Sequence, residues 1–368
     1  MFKHVIQHFW VLIVVVLYLV LLLYIRVSHN NALPGNFYHN WRTHYLKTRG
    51  HTMFVKTNVS GPLTTLSESQ GYAMQITLAA ADRGLANQQD FQKLVAYYQN
   101  NQLPNTHLMS WRQRYLSGHV QRSHNSATDG DVFIADSLIQ AARIWPSHQQ
   151  YYLHLAHQLL QDILTYEYNP GQRILTVGNW ADKHTPYYTM MRTSDVLPES
   201  FDRFYQLTAD RTWLHIKNSM LNKLFLLSRS NKNGLIPDFA WIDSNKKIVI
   251  RKGKKFDQFS QKTYGYNACR IPMNLAKSRD KKSRFVLHRL LTFFDRERYI
   301  SAGYSLNGHQ LNTYQSPSFS APVLYASAQF NRYASLSHRE EYVLMMPSLK
   351  NRYYDETLTT MTALSLKR

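Results

Sequence analysis

Residues 127–145 read ATDGDVFIADSLIQAARIW, and this stretch decides the fold prediction. It carries two aspartates, Asp129 and Asp131, on either side of a glycine, followed by apolar residues that recur at helical spacing as far as Trp145. The pattern predicts an amphipathic helix with two carboxylates at its N-terminus, where unpaired backbone N–H groups and the helix dipole favour negative charge. Taken alone, it is more typical of aspartates that only cap a helix, so the choice between these interpretations depends on the rest of the chain.

Helical periodicity dominates the chain after residue 70. Helices are predicted near 72–83, 90–99, 131–145, 149–165, 199–208, 211–228, 267–279, 284–297, 319–335, 338–345 and 355–366. Strand patterns are few, the clearest being Lys247–Arg251 (KIVIR), which predicts part of a hairpin. So many helices joined by short polar turns favour one all-α domain, and the lack of a fixed-period repeat disfavours a solenoid. Paired helices closed into a toroid fit both the number and the lengths of these helices.

The chain is strongly basic, with 43 Lys and Arg against 23 Asp and Glu and a formal net charge of +20. This balance favours anionic surroundings such as lipid headgroups or anionic cell-envelope polymers. The densest cationic run is Lys246, Lys247, Arg251, Lys252, Lys254 and Lys255. It predicts an exposed loop that either binds such a polymer or is simply solvated. No aromatic-rich RNA-binding motif or helix-turn-helix accompanies the run, so nucleic acid is not an expected partner.

Two other features of the composition exclude classes of site. Glycine is scarce, at 14 residues, and no glycine-rich phosphate-binding motif occurs, which disfavours a nucleotide-binding architecture. Cys269 is the single cysteine, so the chain forms neither an intramolecular disulfide nor a cysteine-rich zinc site. A small buried apolar residue is the expected role of this cysteine.

Residues 9–26 are predicted to form a transmembrane signal anchor. Phe9–Ile25 reads FWVLIVVVLYLVLLLYI, an apolar run without a helix breaker that lies between Lys3 and Arg26. A cleaved signal peptide is the main alternative, and a buried core helix is a more distant one.

The anchor sets the predicted domain organisation. The segments are a short tail over 1–8, the anchor over 9–26, a linker over 27–36 and the folded domain over 37–368. One N-terminal anchor ahead of a large domain usually leaves that domain outside the cytoplasm. The predicted location is therefore the cell membrane, with a single span and an extracytoplasmic domain.

A second acidic segment lies upstream of the first, where Ser67–Tyr72 reads SESQGY. Glu68 stands just before an alanine-rich helical pattern and close to Tyr72. A carboxyl group in such surroundings is partly desolvated, which raises its pKa and suits it to donate a proton. A first-turn or capping-box glutamate is the plainer interpretation of the same residues.

Together the two acidic segments resemble glycoside hydrolase family 8, the family of the (α/α)6-barrel endoglucanases, chitosanases and xylanases. Ala127–Trp145 matches the family signature, A-[ST]-D-[AG]-D followed by a helical I-A-x-S-L-x-x-A-x-x-x-[FW], at every position. The family's S-E-x-Q-[GS]-Y segment corresponds to Ser67–Tyr72. Shorter similarities follow in the family's order at Leu108–Trp111, Pro198–Phe204, Gly234–Asp238 and Tyr266–Arg270. The resemblance covers roughly residues 35–365.

The resemblance implies an (α/α)6 barrel that hydrolyses β-1,4-linked polysaccharide with inversion, like an endo-β-1,4-glucanase. By the same resemblance Glu68 is the general acid, and Asp129 binds the cleaved sugar at subsite −1 and stabilises the oxocarbenium-like transition state. Inversion requires a water between two carboxyl groups about 6.5–9.5 Å apart, and it needs neither a metal nor another cofactor. The substrate-binding residues implied by the resemblance are Trp111, Tyr72, Tyr266, Arg270 and Asp195. Trp111 would stack on a sugar face, although a tryptophan of the core fits its sequence position equally well.

One residue departs from the family pattern. Asn267 stands where many members have the aspartate that activates the attacking water, and an amide does not accept that proton at neutral pH. Asp195, where the family more often has an aromatic residue, and Asp257 in the basic loop are candidates to replace it. Asp238 and Asp243 are expected to be structural.

Asn267 leaves open a second hypothesis, in which the chain is a catalytically impaired carbohydrate-binding protein of the cell envelope. A third, a tethering protein that acts through the basic loop, does not explain the two acidic segments.

Overall fold

The structure is a computed structural model that describes residues 2–116, 118–250, 262–347 and 351–366. Within the first helix it describes the side chains of 10–21 and of residues from 32 onward. The helices of the described chain are α1 (Phe2–Tyr45), α2 (Ser67–Ala81), α3 (Gln88–Asn100), α4 (Thr128–Ile144), α5 (Gln149–Tyr166), α6 (Pro198–Thr208), α7 (Thr212–Ser230), α8 (Ile271–Leu275), α9 (Lys281–Arg296), α10 (Pro317–Ser327), α11 (Ala334–Glu340) and α12 (Tyr353–Ser365). Short 3-10 helices occur at Pro146–His148, Thr193–Asp195, Ala268–Arg270, Asn331–Tyr333 and Glu341–Leu344.

The helices form an inner and an outer ring. Going round the inner ring, α2 packs on α4, α4 on α6, α8 on α10, α10 on α12, and α12 again on α2, while the 3-10 turns before α6 and α8 join those two helices. Each inner helix has an outer partner: α3 covers α2, α5 covers α4, α7 covers α6, α9 covers α8, α11 covers α10 and α1 covers α12. The contact between α12 and α2 closes the ring. The predicted helix-rich fold of paired helices is confirmed.

The sequence explains which helices lie inside. Every residue of α10 is buried, and so are most residues of α2, α4 and α12, because small and hydroxylated side chains let these helices be surrounded on all faces. By contrast α5, α7 and α9 bury one apolar stripe and expose the opposite face. The helices predicted as continuous over 267–279 and 319–335 are each divided into a 3-10 turn and a shorter α-helix.

Two glycines allow the first turns of α2 and α4 to touch. A Cβ added to Gly130 would lie 2.6 Å from Ser67 Cβ and 2.7 Å from the Ser67 carbonyl carbon. A Cβ added to Gly71 would lie 2.5 Å from Phe133 Cβ. All three distances are too short for a real side chain, so the glycine in each acidic segment is required by packing. This contact brings the acidic residue of one helix beside that of the other.

Short antiparallel strands lie in the loops that connect the helices. They are β1 (Leu46–Arg49), β2 (Thr52–Val55), β3 (Thr64–Leu66), β4 (Arg112–Leu116), β5 (His119–Arg122), β6 (Tyr168–Asn169), β7 (Ile174–Leu175), β8 (Met190–Arg192), β9 (Phe239–Ile242), β10 (Ile248–Val249), β11 (Thr263–Tyr264) and β12 (Tyr304–Ser305). They form the sheets β1–β2, β3–β4–β5, β6–β7, β8–β9–β10 and β11–β12. The predicted hairpin is confirmed, since Ile248 pairs with Ile242 and Val249 with Trp241.

The N-terminal segment differs from its prediction. Residues 27–36, expected to be a linker, lie inside α1, although Pro34 lacks the backbone N–H that a helix interior uses. Packing compensates for this loss, because Leu33, Tyr38 and Trp41 are buried and the Trp41 indole donates a 3.0 Å hydrogen bond to Thr357 in α12. Asn, Pro and Gly in that segment therefore do not end the helix.

The anchor predicted over 9–26 finds no support in the structure. Among the residues whose placement is described, no helix has both the length and the apolar character required to cross a membrane. The large apolar side chains Trp10, Leu12, Leu17 and Leu21 are exposed on α1.

Candidate active site

The predicted site residues meet at one end of the ring, where the inner helices begin. Glu68 and Asp129 are each the second residue of their helix, α2 and α4. Asp195 ends the 3-10 turn before α6, and Arg270 ends the turn before α8. Since these N-termini point the same way, their unpaired N–H groups and dipoles favour negative charge at this end.

Glu68 is partly accessible and does not cap its helix. Ser69 makes the cap instead, accepting a 3.0 Å hydrogen bond from the Leu66 N–H. The Glu68 carboxylate forms an ion pair with Arg270, and its side chain keeps 21% of its surface exposed. Burial raises the pKa of Glu68 above its ordinary value, opposed by Arg270 and reinforced by the negative charge of Asp129. The structure therefore favours a proton on this partly accessible acid.

Asp129 is bound by two guanidinium groups. Its Oδ2 atom forms an ion pair with Arg192 and lies 3.3 Å from Arg270 Nη2. Its other oxygen accepts a 3.1 Å hydrogen bond from the Gly130 N–H. Burial disfavours the ionised form, but Arg192 and Arg270 together outweigh it and hold the pKa of Asp129 below its ordinary value. The two arginines therefore favour the ionised form of Asp129.

Asp195 contacts Arg192, as Asp129 does. Asp195 is 2% exposed, and its Oδ1 atom lies 3.7 Å from Arg192 Nη1, the atom that also contacts Asp129. Neither carboxyl oxygen of Asp195 receives a hydrogen bond from the described residues. Burial raises the pKa of Asp195 to about 7, with Arg192 opposing the rise and Asp129 adding to it.

Arg270 holds the centre of the site. Its side chain is 2% exposed, and the guanidinium reaches partners on three sides. The groups it contacts are the Glu68 carboxylate, the Tyr72 hydroxyl at 3.1 Å, Asp129 Oδ2 at 3.3 Å, the Ser194 hydroxyl at 2.8 Å and Asn267 Oδ1 at 3.4 Å. Tyr72 and Arg270 are thus buried framework residues of the site.

Charges alternate along this cluster in the order Glu68, Arg270, Asp129, Arg192, Asp195. Three carboxyl groups face two guanidinium groups, so a single proton on the cluster makes it neutral. Because burial strongly disfavours net charge, the cluster retains one proton readily. A site that keeps one acid protonated beside ionised carboxylates has the electrostatics of acid–base catalysis on a neutral substrate.

Asn267 stands at the position where the base is expected, and its side chain contacts Arg270. Its amide oxygen accepts from Arg270, and its turn is held by Asp238, which accepts hydrogen bonds from the Gly265 and Ala268 N–H groups at 3.0 and 2.7 Å. The structural role predicted for Asp238 is confirmed. Asp243 likewise closes a turn, accepting from the N–H groups of Asn245 and Lys247.

Of the aromatic residues predicted to bind sugar, Trp111 and Tyr266 keep part of their surface exposed, whereas Tyr72 is buried. Trp111 is half-buried, accepts a 2.9 Å hydrogen bond at its carbonyl from the Ser67 N–H and has the Arg112 guanidinium 4.5 Å from its ring centroid. Tyr266 is 45% exposed and borders a cavity of about 460 Å³ that Tyr354 also lines. The Tyr354 hydroxyl donates a 3.0 Å hydrogen bond to the Tyr266 carbonyl. Backbone connections place both residues near the cluster, since Ser67 precedes Glu68 and Tyr266 precedes Asn267.

Asp131 stabilises the segment that leads to Trp111 through a hydrogen bond with its backbone. Its Oδ1 atom accepts a 2.8 Å hydrogen bond from the Met109 N–H, in the segment that leads to Trp111. Its Oδ2 atom has no hydrogen-bond partner among the described residues, and Glu167, which acts on its pKa, is likewise completely buried. Burial raises the pKa of Asp131 well above its ordinary value and that of Glu167 to about 8, so the pair shares a proton. The Ser126 hydroxyl donates to Glu167 Oε1 at 2.5 Å.

Sequence reasoning missed Arg192, Ser194, Tyr354 and Glu167. Arg192 lies three residues before Asp195, a spacing that indicates proximity only once the following turn is known. Asp257 and the basic residues 251–255, named above as a candidate base and a candidate binding loop, lie outside the described residues. Cys269 is buried, as expected.

A further cavity of about 480 Å³ lies at the opposite end of the ring, between the C-terminal halves of α2, α4 and α12. It is lined by none of the predicted site residues.

The family model described as glycosyl hydrolases family 8 matches residues 14–367. The chain belongs to glycosyl hydrolase family 8. An endoglucanase of Bacillus sp. (strain KSM-330) is 28% identical to this family 8 chain, over 92% of the chain and 76% of the relative. A β-glucanase of Niallia circulans is 28% identical over 77% and 71%. The structure of a β-1,3-1,4-glucanase from Paenibacillus sp. X4 superposes with a TM-score of 0.82 at 23% identity, covering 92% of this chain and 93% of that one. That likeness confirms the (α/α)6 fold of the family.

Proposed function

We propose that the protein hydrolyses β-1,4 bonds of a glucan with inversion of configuration. The observation that carries the proposal is the pair of first-turn carboxyl groups, Glu68 and Asp129, which share Arg270 while burial raises the pKa of Glu68 and two arginines lower that of Asp129. The names of the relatives, β-glucanase, endoglucanase and β-1,3-1,4-glucanase, support a β-glucan as the substrate.

Glu68 is the proposed general acid. Its pKa is raised, so the carboxyl group still carries its proton at pH values where free glutamate does not. Its side chain is also the most accessible of the acidic cluster, which fits direct contact with the glycosidic oxygen. Donation of that proton lets the sugar leave as a neutral alcohol.

Asp129 is the proposed carboxylate of subsite −1. Two guanidinium groups keep it ionised, so it stabilises the positive charge that develops on the sugar ring. The same arginines make it a poor nucleophile, because its lone pairs are already engaged. This arrangement supports inversion rather than a covalent intermediate.

Trp111 and Tyr266 are the proposed sugar platforms. Each keeps part of its side chain exposed, and aromatic rings pack well against the C–H face of a pyranose.

The test is an assay of reducing ends with the purified protein on barley β-glucan, carboxymethylcellulose, chitosan and xylan. We expect turnover on at least the first, and loss of about 100-fold or more in Glu68→Gln. Asp202→Asn, which removes a carboxylate paired with Lys217 on an outer face, is the matched control and should keep full activity. Binding to the polymers without turnover by the wild-type protein would instead establish the impaired-binding hypothesis.

We further propose that the apolar part of α1 holds the protein at a membrane, with the barrel outside the cytoplasm. Support comes from the apolar run Phe9–Ile25 and from the exposure of large side chains over 10–21. Carbonate washing of membranes should leave the full chain in the pellet, whereas Val15→Lys combined with Leu19→Lys should release it. Recovery of the unaltered chain in the soluble fraction would contradict the proposal.

A further inference from the structure

The position that the family uses for the base holds an amide in this chain. Asn267 Oδ1 accepts from Arg270 and does not take up a proton at neutral pH. Since the proposed reaction needs a group that deprotonates the attacking water, another carboxylate has to supply it. The inference below rests on the proposed function and names that residue.

Most other carboxylates near the cleft are already engaged. Asp129 is held by two arginines and its pKa is lowered. Asp238 accepts from the N–H groups that shape the Asn267 turn. Asp355, beside the rim cavity, accepts from the hydroxyls of Ser316 and Ser318, each at 2.5 Å.

Asp195 differs from all of them. Both of its oxygens are buried and receive no hydrogen bond from the described residues, although an ionised carboxylate in such surroundings requires donors. Its ion-pair partner is Arg192, whose Nη1 lies 3.7 Å from Asp195 Oδ1 and also pairs with Asp129, so Asp195 belongs to the same cluster as the proposed acid. The free acceptors therefore point to a donor that arrives with the substrate, and water is the donor that hydrolysis uses.

The turn that carries Asp195 is rigid. Thr193 donates its hydroxyl to the Pro237 carbonyl at 2.7 Å and its N–H to the Asp238 carbonyl at 3.0 Å. Ser194 accepts from Arg270, and its carbonyl accepts from Asn274 at 2.8 Å. A base held on both sides in this way keeps its orientation during the reaction.

We propose that Asp195 is the general base of this enzyme, in place of the family's residue at position 267. The water oxygen forms a bond to C1 of the sugar while one water proton passes to a carboxyl oxygen of Asp195. The bond between C1 and the glycosidic oxygen breaks, its electron pair remains on that oxygen, and the oxygen takes the proton of Glu68. The products are an alcohol and a sugar of inverted configuration, after which Asp195 returns its proton to solvent and Glu68 is reprotonated. A pKa of about 7 suits a base that operates near neutral pH.

The first test compares two substrates. On barley β-glucan, Asp195→Ala and the isosteric Asp195→Asn should both lose about 100-fold or more in kcat, with melting temperatures near the wild-type value. On β-cellobiosyl fluoride, whose leaving group needs no proton, Glu68→Gln should remain active while both Asp195 variants stay inactive. Asp195→Ala that hydrolyses the fluoride at the wild-type rate overturns the inference and leaves the proposed function intact.

The second test replaces the water. Azide attacks C1 without giving up a proton, so Asp195→Ala with added azide should convert β-cellobiosyl fluoride to α-cellobiosyl azide. Asp257→Ala is the matched variant at the rival position and should keep activity within about threefold. Loss of activity in Asp257→Ala with no azide product from Asp195→Ala overturns the inference. A wild-type protein inactive on every substrate overturns the proposed function itself.

Discussion

Arg270 Nη2 lies 3.3 Å from Asp129 Oδ2, the same oxygen that forms an ion pair with Arg192. The two arginines thereby connect Asp129 to Glu68 on one side and to Asp195 on the other. A substitution at Asp129 is therefore expected to change the pKa of both Glu68 and Asp195.

The pH profile should report this connection. The negative charge of Asp129 raises the pKa of Glu68, so Asp129→Asn should lower that pKa and move the basic limb of kcat/KM to lower pH. The same change should reduce kcat by about 10²–10³-fold, because a group that stabilises transition-state charge is lost. Rates on barley β-glucan between pH 4 and 10 provide the measurement. A basic limb that keeps its position would show that Asp129 does not act on Glu68.

Packing at the α2–α4 contact should be equally sensitive. Gly130→Ala places a Cβ 2.6 Å from Ser67 Cβ and 2.7 Å from its carbonyl carbon, so the two first turns have to separate. We expect a loss of about 1–3 kcal/mol in the free energy of unfolding, measured by urea denaturation, together with a marked loss of activity.

Gly35→Ala is the control for that substitution. It also lies in a helix, but its added Cβ would meet Leu85 Cδ2 at an ordinary 3.6 Å. It should leave stability unchanged or raise it slightly. Equal effects of the two substitutions would refute the close-contact explanation.

Stability should fall as pH rises because of the Asp131–Glu167 pair. Glu167 has an ordinary pKa of 4.5 and a folded-state pKa of about 8, so the folded protein holds the proton more tightly than the unfolded chain. Its contribution is fully present below pH 4.5 and is lost as pH rises through about 8. In the wild type, we expect the free energy of unfolding to fall by on the order of 2–4 kcal/mol between pH 5 and 8. Glu167→Gln, whose amide supplies a permanent donor to Asp131, should remove this fall.

Urea denaturation at several pH values measures how the free energy of unfolding changes with pH. The surface substitution Asp210→Asn is the control and should leave this dependence as in the wild type. A Glu167→Gln profile parallel to that of the wild type would mean that the pair does not share a proton.

Trp111 should affect binding more than chemistry. Trp111→Ala removes the proposed stacking surface, so KM for β-glucan should rise about 3- to 10-fold while kcat changes less. Tyr151→Ala, an exposed ring on the outer helix α5, is the control and should change neither constant. A Trp111→Ala protein that unfolds would place this tryptophan in the core instead.

The sequence allowed much of this site to be predicted. Glu68 and Asp129 stand in long, specific motifs at the starts of helices with clear periodicity. Their membership of the candidate site and their positions at helix N-termini could therefore be inferred. Arg192 could not, because it belongs to a three-residue strand whose position depends on the packing of β8 on β9. The same holds for Glu167, since only the folded chain brings it to Asp131.

The N-terminal segment shows the opposite case. Asn, Pro and Gly over 27–36 indicate a linker by local rules, yet burial of Leu33 and Trp41 on the barrel keeps α1 continuous. Tertiary packing outweighs local propensity there.

The stereochemistry of the first product tests the central proposal most directly. Proton NMR of a β-glucan oligosaccharide during its first minutes with the enzyme distinguishes the two anomers before they equilibrate. Inversion by Glu68 and a water-activating base predicts that the α-anomer of the new reducing end appears first. Initial appearance of the β-anomer would contradict the account, because it requires a covalent intermediate that Asp129, held by two arginines, is not placed to form.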